Sequence, residues 1–154
     1  MMTATAVPID CLTLHGACQP RAEMNQATID AYPEAMRDGA TFDPVIVFRS
    51  GDETWLADGW HRVAAARQAG LVTIRADVRA GGERDAILFA VGSNSMHGLP
   101  RTNADKRRAA MTLLDDPEWS SWSDSEIARR CAVLLTCRIL SPRQDSVHGC
   151  ATAL

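Results

Sequence analysis

A histidine and an arginine stand side by side at the predicted start of a helix, in the segment WLADGWHRVAAARQAG (55–70). A strand pattern ends at the turn residues Asp58-Gly59, and apolar residues then recur at helical spacing from Arg62 onwards. Free backbone N–H groups at a helix N-terminus attract anions, and a guanidinium can add two hydrogen bonds to a phosphate. His61 and Arg62 therefore suggest a phosphate site, although a strand-turn-helix joint is also ordinary architecture in any α/β protein.

The composition is that of an ordinary globular protein. Of 154 residues, 46% are hydrophobic and 23% are charged, and the formal net charge is −3. No apolar run is long enough to span a bilayer, and the start MMTATAVPID lacks the features of a signal peptide, so we expect a cytoplasmic protein without a membrane partner. The five cysteines show no metal-ligand spacing, which favours reduced thiols and no metal site.

The predicted elements favour a small α/β (α+β) domain followed by a helical segment. We expect a strand in VPIDCLTL (7–14), a hairpin around Ser50-Gly51-Asp52, and a strand in VTIRADV (72–78). A helix ending at Asp38-Gly39 either begins near residues 30–32 or kinks at Pro33, because proline is comfortable only in the first helical turn.

Two capping patterns organise the helical segment. Thr102 with Asp105 predicts a helix over Asn103–Leu114, and Ser123 with Glu126 opens a second helix in SDSEIARRCAV. The basic residues of these two helices form either a solvated face or a DNA-binding face. The DNA-contact candidates are Lys106, Arg107, Arg108, Arg129 and Arg130.

Five segments resemble, in family order, the ParB N-terminal domain of the ParB/sulfiredoxin superfamily. They are PIDCLTLHGACQPR, DPVIVF, ADGWHRVAAARQAG, GSNSMHGLPRTNADKRRAA and WSDSEIARRCAV, of which the last looks like the first helix of a helix-turn-helix. The resemblance implies a mixed-sheet domain over 1–92 and a helical extension over 93–133. We interpret 134–154 as a divergent tail, truncated or disordered, because its proline and glycine limit any recognition helix.

The resemblance also implies a nucleotide or phosphate pocket, for a nucleotide of the CTP or ATP type. Its candidate residues are Gly59, Trp60, His61, Arg62, Asn94, His97 and Arg101. Trp60 stands where sulfiredoxins carry their reactive cysteine, which argues against sulfinic acid reduction. Ser93 stands where nucleotide-hydrolysing ParB proteins carry a glutamate, which argues against magnesium-dependent hydrolysis, so we assign no catalytic residue.

These features favour a DNA-associated regulator of transcription or a plasmid-partition protein, whose partners are DNA and a nucleotide. Sequence-specific DNA reading is expected to be impaired, since a helix-turn-helix needs a second helix in the major groove. The alternatives are a ParB-like nuclease or nucleotide-dependent phosphotransferase that uses the same pocket, and an interaction module with a vestigial pocket. The sequence is also compatible with a homodimer.

Overall fold

Five strands form one mixed sheet within residues 4–19, 21, 23–93 and 100–133, which the computed structural model describes. The strands are β1 (Thr5–Pro8), β2 (Leu12–Thr13), β3 (Val45–Ser50), β4 (Glu53–Asp58) and β5 (Thr73–Ala80). Their order is β1-β5-β3-β4-β2. The central strand β3 runs parallel to β5 and antiparallel to β4. The expected α/β class with a mixed sheet is confirmed.

The predicted hairpin is present, but the single strand predicted over residues 7–14 is wrong. That segment divides into β1, a 3-10 turn at Ile9–Cys11, and β2. Pro8 cannot donate a ladder hydrogen bond, and Ile9 and Leu12 are both buried at a spacing of three residues, which suits a helical turn. The two halves consequently pair with different strands, β1 with β5 and β2 with β4.

Five α-helices accompany the sheet in the described residues. They are α1 (Gln26–Arg37), α2 (Trp60–Gln68), α3 (Glu83–Gly92), α4 (Asn103–Leu114) and α5 (Asp124–Arg130). A start of α1 near residue 30 is wrong, because Asn25 caps the helix by accepting a hydrogen bond from the Thr28 N–H at 2.9 Å. Pro33 therefore lies in the helix interior. No helix in this part of the chain is long and apolar enough to cross a membrane.

Two apolar clusters hold these elements together. One cluster joins the sheet to α2 and includes Val45, Leu56 and Val63. The other joins Trp55 of β4 to α3, α4 and α5, and it includes Leu113 and Ile127. Residues on both sides of position 92 thus share one core, which fixes α4 and α5 relative to the sheet.

Candidate functional site

The first turn of α2 follows directly from strand β4 through Gly59. This glycine has a φ of 102°, in the left-handed region, and a Cβ atom there would lie 2.5 Å from Cγ1 of Val45. Gly59 is the N-cap residue and supplies no side-chain cap. The backbone N–H groups at the start of α2 are therefore uncapped by any described side chain, as an anion site requires.

Arg62 directs its guanidinium back toward the loop before β3. It donates hydrogen bonds to the carbonyl oxygens of Asp43 and Pro44, and it forms an ion pair with Asp58 at 3.1 Å. These contacts hold the start of α2 against the start of β3. A ligand phosphate would have to replace or share one of them.

Trp60 packs between the two apolar clusters, and its indole N–H donates to the Cys18 carbonyl oxygen at 3.0 Å. These contacts give the Trp60 side chain a structural role, because they hold the first turn of α2 against both clusters and the Cys18 segment. The neighbouring Cys18 thiol is buried, which raises its pKa to about 12.

His61 contacts the residue that caps α1. Its Nε2 accepts a hydrogen bond from the Asn25 backbone N–H at 3.0 Å. Burial, and next the positive charge of Arg21, lower the pKa of His61. The ring is therefore neutral near pH 7 and presents an acceptor, rather than a cation, to Asn25.

Arg21 is a site residue that sequence reasoning missed. Its guanidinium donates to the Asp105 carboxylate at 3.1 Å and to the Pro100 carbonyl oxygen at 2.9 Å. Both side chains of the ion pair are largely buried, with 13% and 4% exposure. The sequence signal for this arginine is Gln-Pro-Arg at 19–21, which ends the first ParB-like segment.

Arg101 lies where three helix ends meet. Its Nη1 donates to the carbonyl oxygens of Val91, near the C-terminus of α3, and Cys131, which ends α5. The Nε and Nη2 atoms are buried without a hydrogen-bond partner in the described structure, and burial lowers the pKa of the group. Two further pocket candidates, Asn94 and His97, lie outside the described residues.

The structure thus brings the first turn of α2 close to the Arg21 segment and the first turn of α4. Arg21, Asp105, Asp58 and Arg62 all lie near enough to His61 to influence its charge. Each carboxylate of this group forms an ion pair with an arginine of the group. Within the described ranges, no three side chains of His, Cys, Asp or Glu are grouped to hold a metal ion.

The candidate DNA contacts fall on two separate helices. On α4, Arg107 and Arg108 are both exposed, and Arg108 donates hydrogen bonds to the carbonyl oxygens of Gly16 and Gln19. A groove of about 440 Å³ runs beside them. Its lining residues are Gly16, Ala17, Ala104, Arg107, Arg108, Met111, Thr112 and Asp115.

On α5, both arginines are already paired within the helix. Glu126 accepts hydrogen bonds from Arg129 and Arg130 at distances from 2.7 to 3.1 Å. Arg130 also lies over the ring of Trp122, 5.2 Å from its centroid. The charge of Glu126 therefore offsets part of the positive charge of this helix.

Two curated relatives from Streptomyces are each 34% identical to the chain. A possible regulatory protein of the streptomycin biosynthesis operon of Streptomyces griseus matches over 96 residues, which are 62% of this chain and 25% of that protein. The transcriptional regulator NovG of Streptomyces niveus matches over 106 residues, which are 69% of this chain and 32% of that protein. The chain therefore spans a quarter to a third of the length of these relatives.

The fold matches the C-terminally truncated chromosome-partitioning protein ParB from Caulobacter crescentus. Its complex with CTP-gamma-S has a TM-score of 0.52 and 20% identity, and the match covers 86% of this chain and 73% of that one. Its complex with the centromeric parS site has a TM-score of 0.54 and 19% identity, with coverages of 88% and 67%. The family model of the ParB N-terminal domain matches residues 2–95. The resemblance seen in the sequence motifs is confirmed, and the chain belongs to the ParB N-terminal domain family.

Proposed function

We propose that the chain is a cytoplasmic, DNA-associated regulator that binds a nucleotide of the CTP type at the start of α2. The uncapped first turn of α2, with Arg21 and His61 close to it, is the observation that carries the proposal. Helix N–H groups and a nearby guanidinium are the usual partners of phosphate oxygens. The Streptomyces relatives named as regulators and the ParB complex with CTP-gamma-S support this choice.

We favour binding over turnover at this pocket. Magnesium-dependent phosphoryl chemistry needs a carboxylate that is available to the metal. The nearby carboxylates, Asp58 and Asp105, form ion pairs with Arg62 and Arg21, and Ser93 occupies the position of the family's glutamate. The alternatives, a nuclease or a phosphotransferase, instead require magnesium-dependent cleavage of DNA or transfer of a phosphoryl group from the nucleotide to an acceptor.

The DNA-binding part of the proposal rests on basic residues that would contact phosphates. Phosphate contacts position a protein on DNA but carry no direct base information. Within the described residues, which run to position 133, no helix for base reading follows α5. We accordingly propose DNA binding that is weak, largely independent of sequence and sensitive to salt.

Calorimetry of the full chain with CTP, ATP and inorganic phosphate tests the pocket. We expect saturable binding of CTP at submillimolar to millimolar concentration, with weaker binding of phosphate alone. Arg75→Ala should bind CTP like the unmodified chain, because this arginine is exposed on β5 and is not part of the pocket. Absence of CTP binding at millimolar concentration by the folded chain, in calorimetry at two temperatures, would refute the proposed pocket.

A further inference from the structure

We propose that His61 is a proton-sensitive clamp on the turn that precedes α1. As a neutral ring carrying its proton on Nδ1, it holds Asn25 in place, and protonation of Nε2 releases the turn. The importance of this clamp for the pocket rests on the proposed nucleotide binding, but the clamp itself is a property of the free protein.

The hydrogen bonds around Asn25 define the state of the ring. The Asn25 side-chain oxygen accepts from the N–H and the hydroxyl group of Thr28, at 2.9 and 3.1 Å, and thereby starts α1. The Asn25 backbone N–H donates to Nε2 of His61 at 3.0 Å. A nitrogen that accepts a hydrogen bond carries no proton, so the proton of the neutral ring resides on Nδ1.

The Nδ1–H group is then the only donor of the ring, and it makes no hydrogen bond to any described residue. A ligand oxygen could accept from it without disturbing the contact with Asn25. His61 would therefore serve the pocket as a neutral donor.

Protonation of His61 would place its Nε2–H group opposite the Asn25 backbone N–H, because an imidazolium ring has no acceptor. The hydrogen bond between the two residues would then be lost.

The charged groups that face His61 come from four parts of the fold. They are Arg21 before α1, Asp58 at the end of β4, Arg62 on α2, and Asp105 on α4.

The charges of these four groups largely offset one another. The two carboxylates raise the pKa of His61 and the two arginines lower it, and each carboxylate is paired with one of the arginines. Burial of the ring then decides the balance in favour of the neutral form.

Release of Asn25 would act on residues next to the pocket. The turn lies four residues after Arg21, whose guanidinium connects it to Pro100 and Asp105 at the start of α4. Opening at Asn25 therefore loosens the connection between the starts of α1 and α2 while the apolar clusters remain intact.

Nitrogen-15 NMR of the full chain without nucleotide tests the clamp between pH 5 and 8. We expect the ring of His61 to be the Nδ1–H tautomer near pH 7.5 and to titrate below 6.5. Amide exchange of Asn25, corrected for the intrinsic pH effect, should accelerate by up to about a hundredfold between pH 7.5 and 5.5, since each of the two pH units changes the protonated-to-neutral ratio of the ring tenfold.

Three variants separate the clamp from general acid effects. His61→Gln keeps an acceptor near the position of Nε2 but cannot be protonated, so the Asn25 amide should stay protected at both pH values. His61→Leu removes the acceptor and should leave the amide unprotected at both. His15→Gln removes an exposed histidine that pairs with Glu83 and should behave like the unmodified chain.

The proposal is overturned if His61 is the Nε2–H tautomer at neutral pH. It is equally overturned if the protection of the Asn25 amide in the unmodified chain is the same at pH 7.5 and 5.5. Because no nucleotide is present, neither result depends on whether CTP binds.

Discussion

Arg21 and Asp105 form a buried ion pair across 84 residues of sequence, with 3.1 Å between Nη1 and Oδ2. Asp105 also accepts from the Thr102 backbone N–H at 2.8 Å and so completes the capping box of α4. One carboxylate therefore both starts α4 and connects it to the segment before α1.

Substitution of Arg21 by methionine should lower the free energy of unfolding by about 3–5 kcal/mol, because it removes the positive charge that is paired with the buried Asp105 carboxylate. Chemical denaturation followed by circular dichroism measures the change. Arg75→Met, on the exposed side of β5, should change stability by less than about 0.5 kcal/mol. A loss below about 1 kcal/mol for Arg21→Met would contradict a tightly coupled buried pair.

Substitution of Arg62 by alanine should weaken CTP binding by about 1.5–3 kcal/mol, which is the range for a charge-assisted hydrogen bond that is lost or misplaced. The variant also loses the contacts to Asp43 and Pro44 that hold the start of α2. Calorimetry therefore has to be done at a temperature where circular dichroism shows the variant to be folded. Equal affinity of the folded variant and the unmodified chain would remove Arg62 from the pocket.

The buried thiols should resist alkylation while the protein is folded. Burial raises the pKa of Cys18 to about 12 and that of Cys131 to about 11, so the reactive thiolate is scarce at pH 8, whereas Cys11 is exposed. Iodoacetamide labelling at pH 8, read by peptide mass spectrometry, should modify Cys11 before Cys18 and Cys131. Labelling of Cys18 and Cys131 should follow only in denaturant, and rapid labelling of either in the folded protein would show that the cluster opens.

Removal of the charge of Glu126 should strengthen DNA binding by α5. Glu126→Gln frees Arg129 and Arg130 from their shared carboxylate, so more phosphates can be contacted and the slope of log K against log salt should steepen by about one. Fluorescence anisotropy with a random duplex across a salt series measures both effects. The control is Glu34→Gln on the exposed side of α1, which makes the same change in net charge at a position outside α5.

Two outcomes would count against this DNA-binding scheme. Identical slopes for the two glutamine variants would show that α5 does not contact DNA. Nanomolar binding to one duplex at physiological salt, with random duplexes about a thousandfold weaker, would show specific reading, against our proposal.

Hydrogen bonds between residues close along the chain were predictable from the residue types alone. The helix over Asn103–Leu114 has the predicted bounds, and its capping box joins residues only three positions apart. The hairpin around Gly51 is equally local. The order of the ParB-like motifs was enough to identify the family, because it depends on residue types along the chain and not on their contacts.

The hydrogen-bond partners of the functional side chains depend instead on contacts between segments that are distant in the sequence. The sequence motif that suggested Arg62 as a phosphate ligand could not show that its guanidinium reaches back to Asp43 and Pro44. Nor could it show that His61 accepts from Asn25. A long side chain bonds to whichever polar group the packed core brings within about 3 Å, and the core that sets these distances assembles from strands and helices far apart in the sequence.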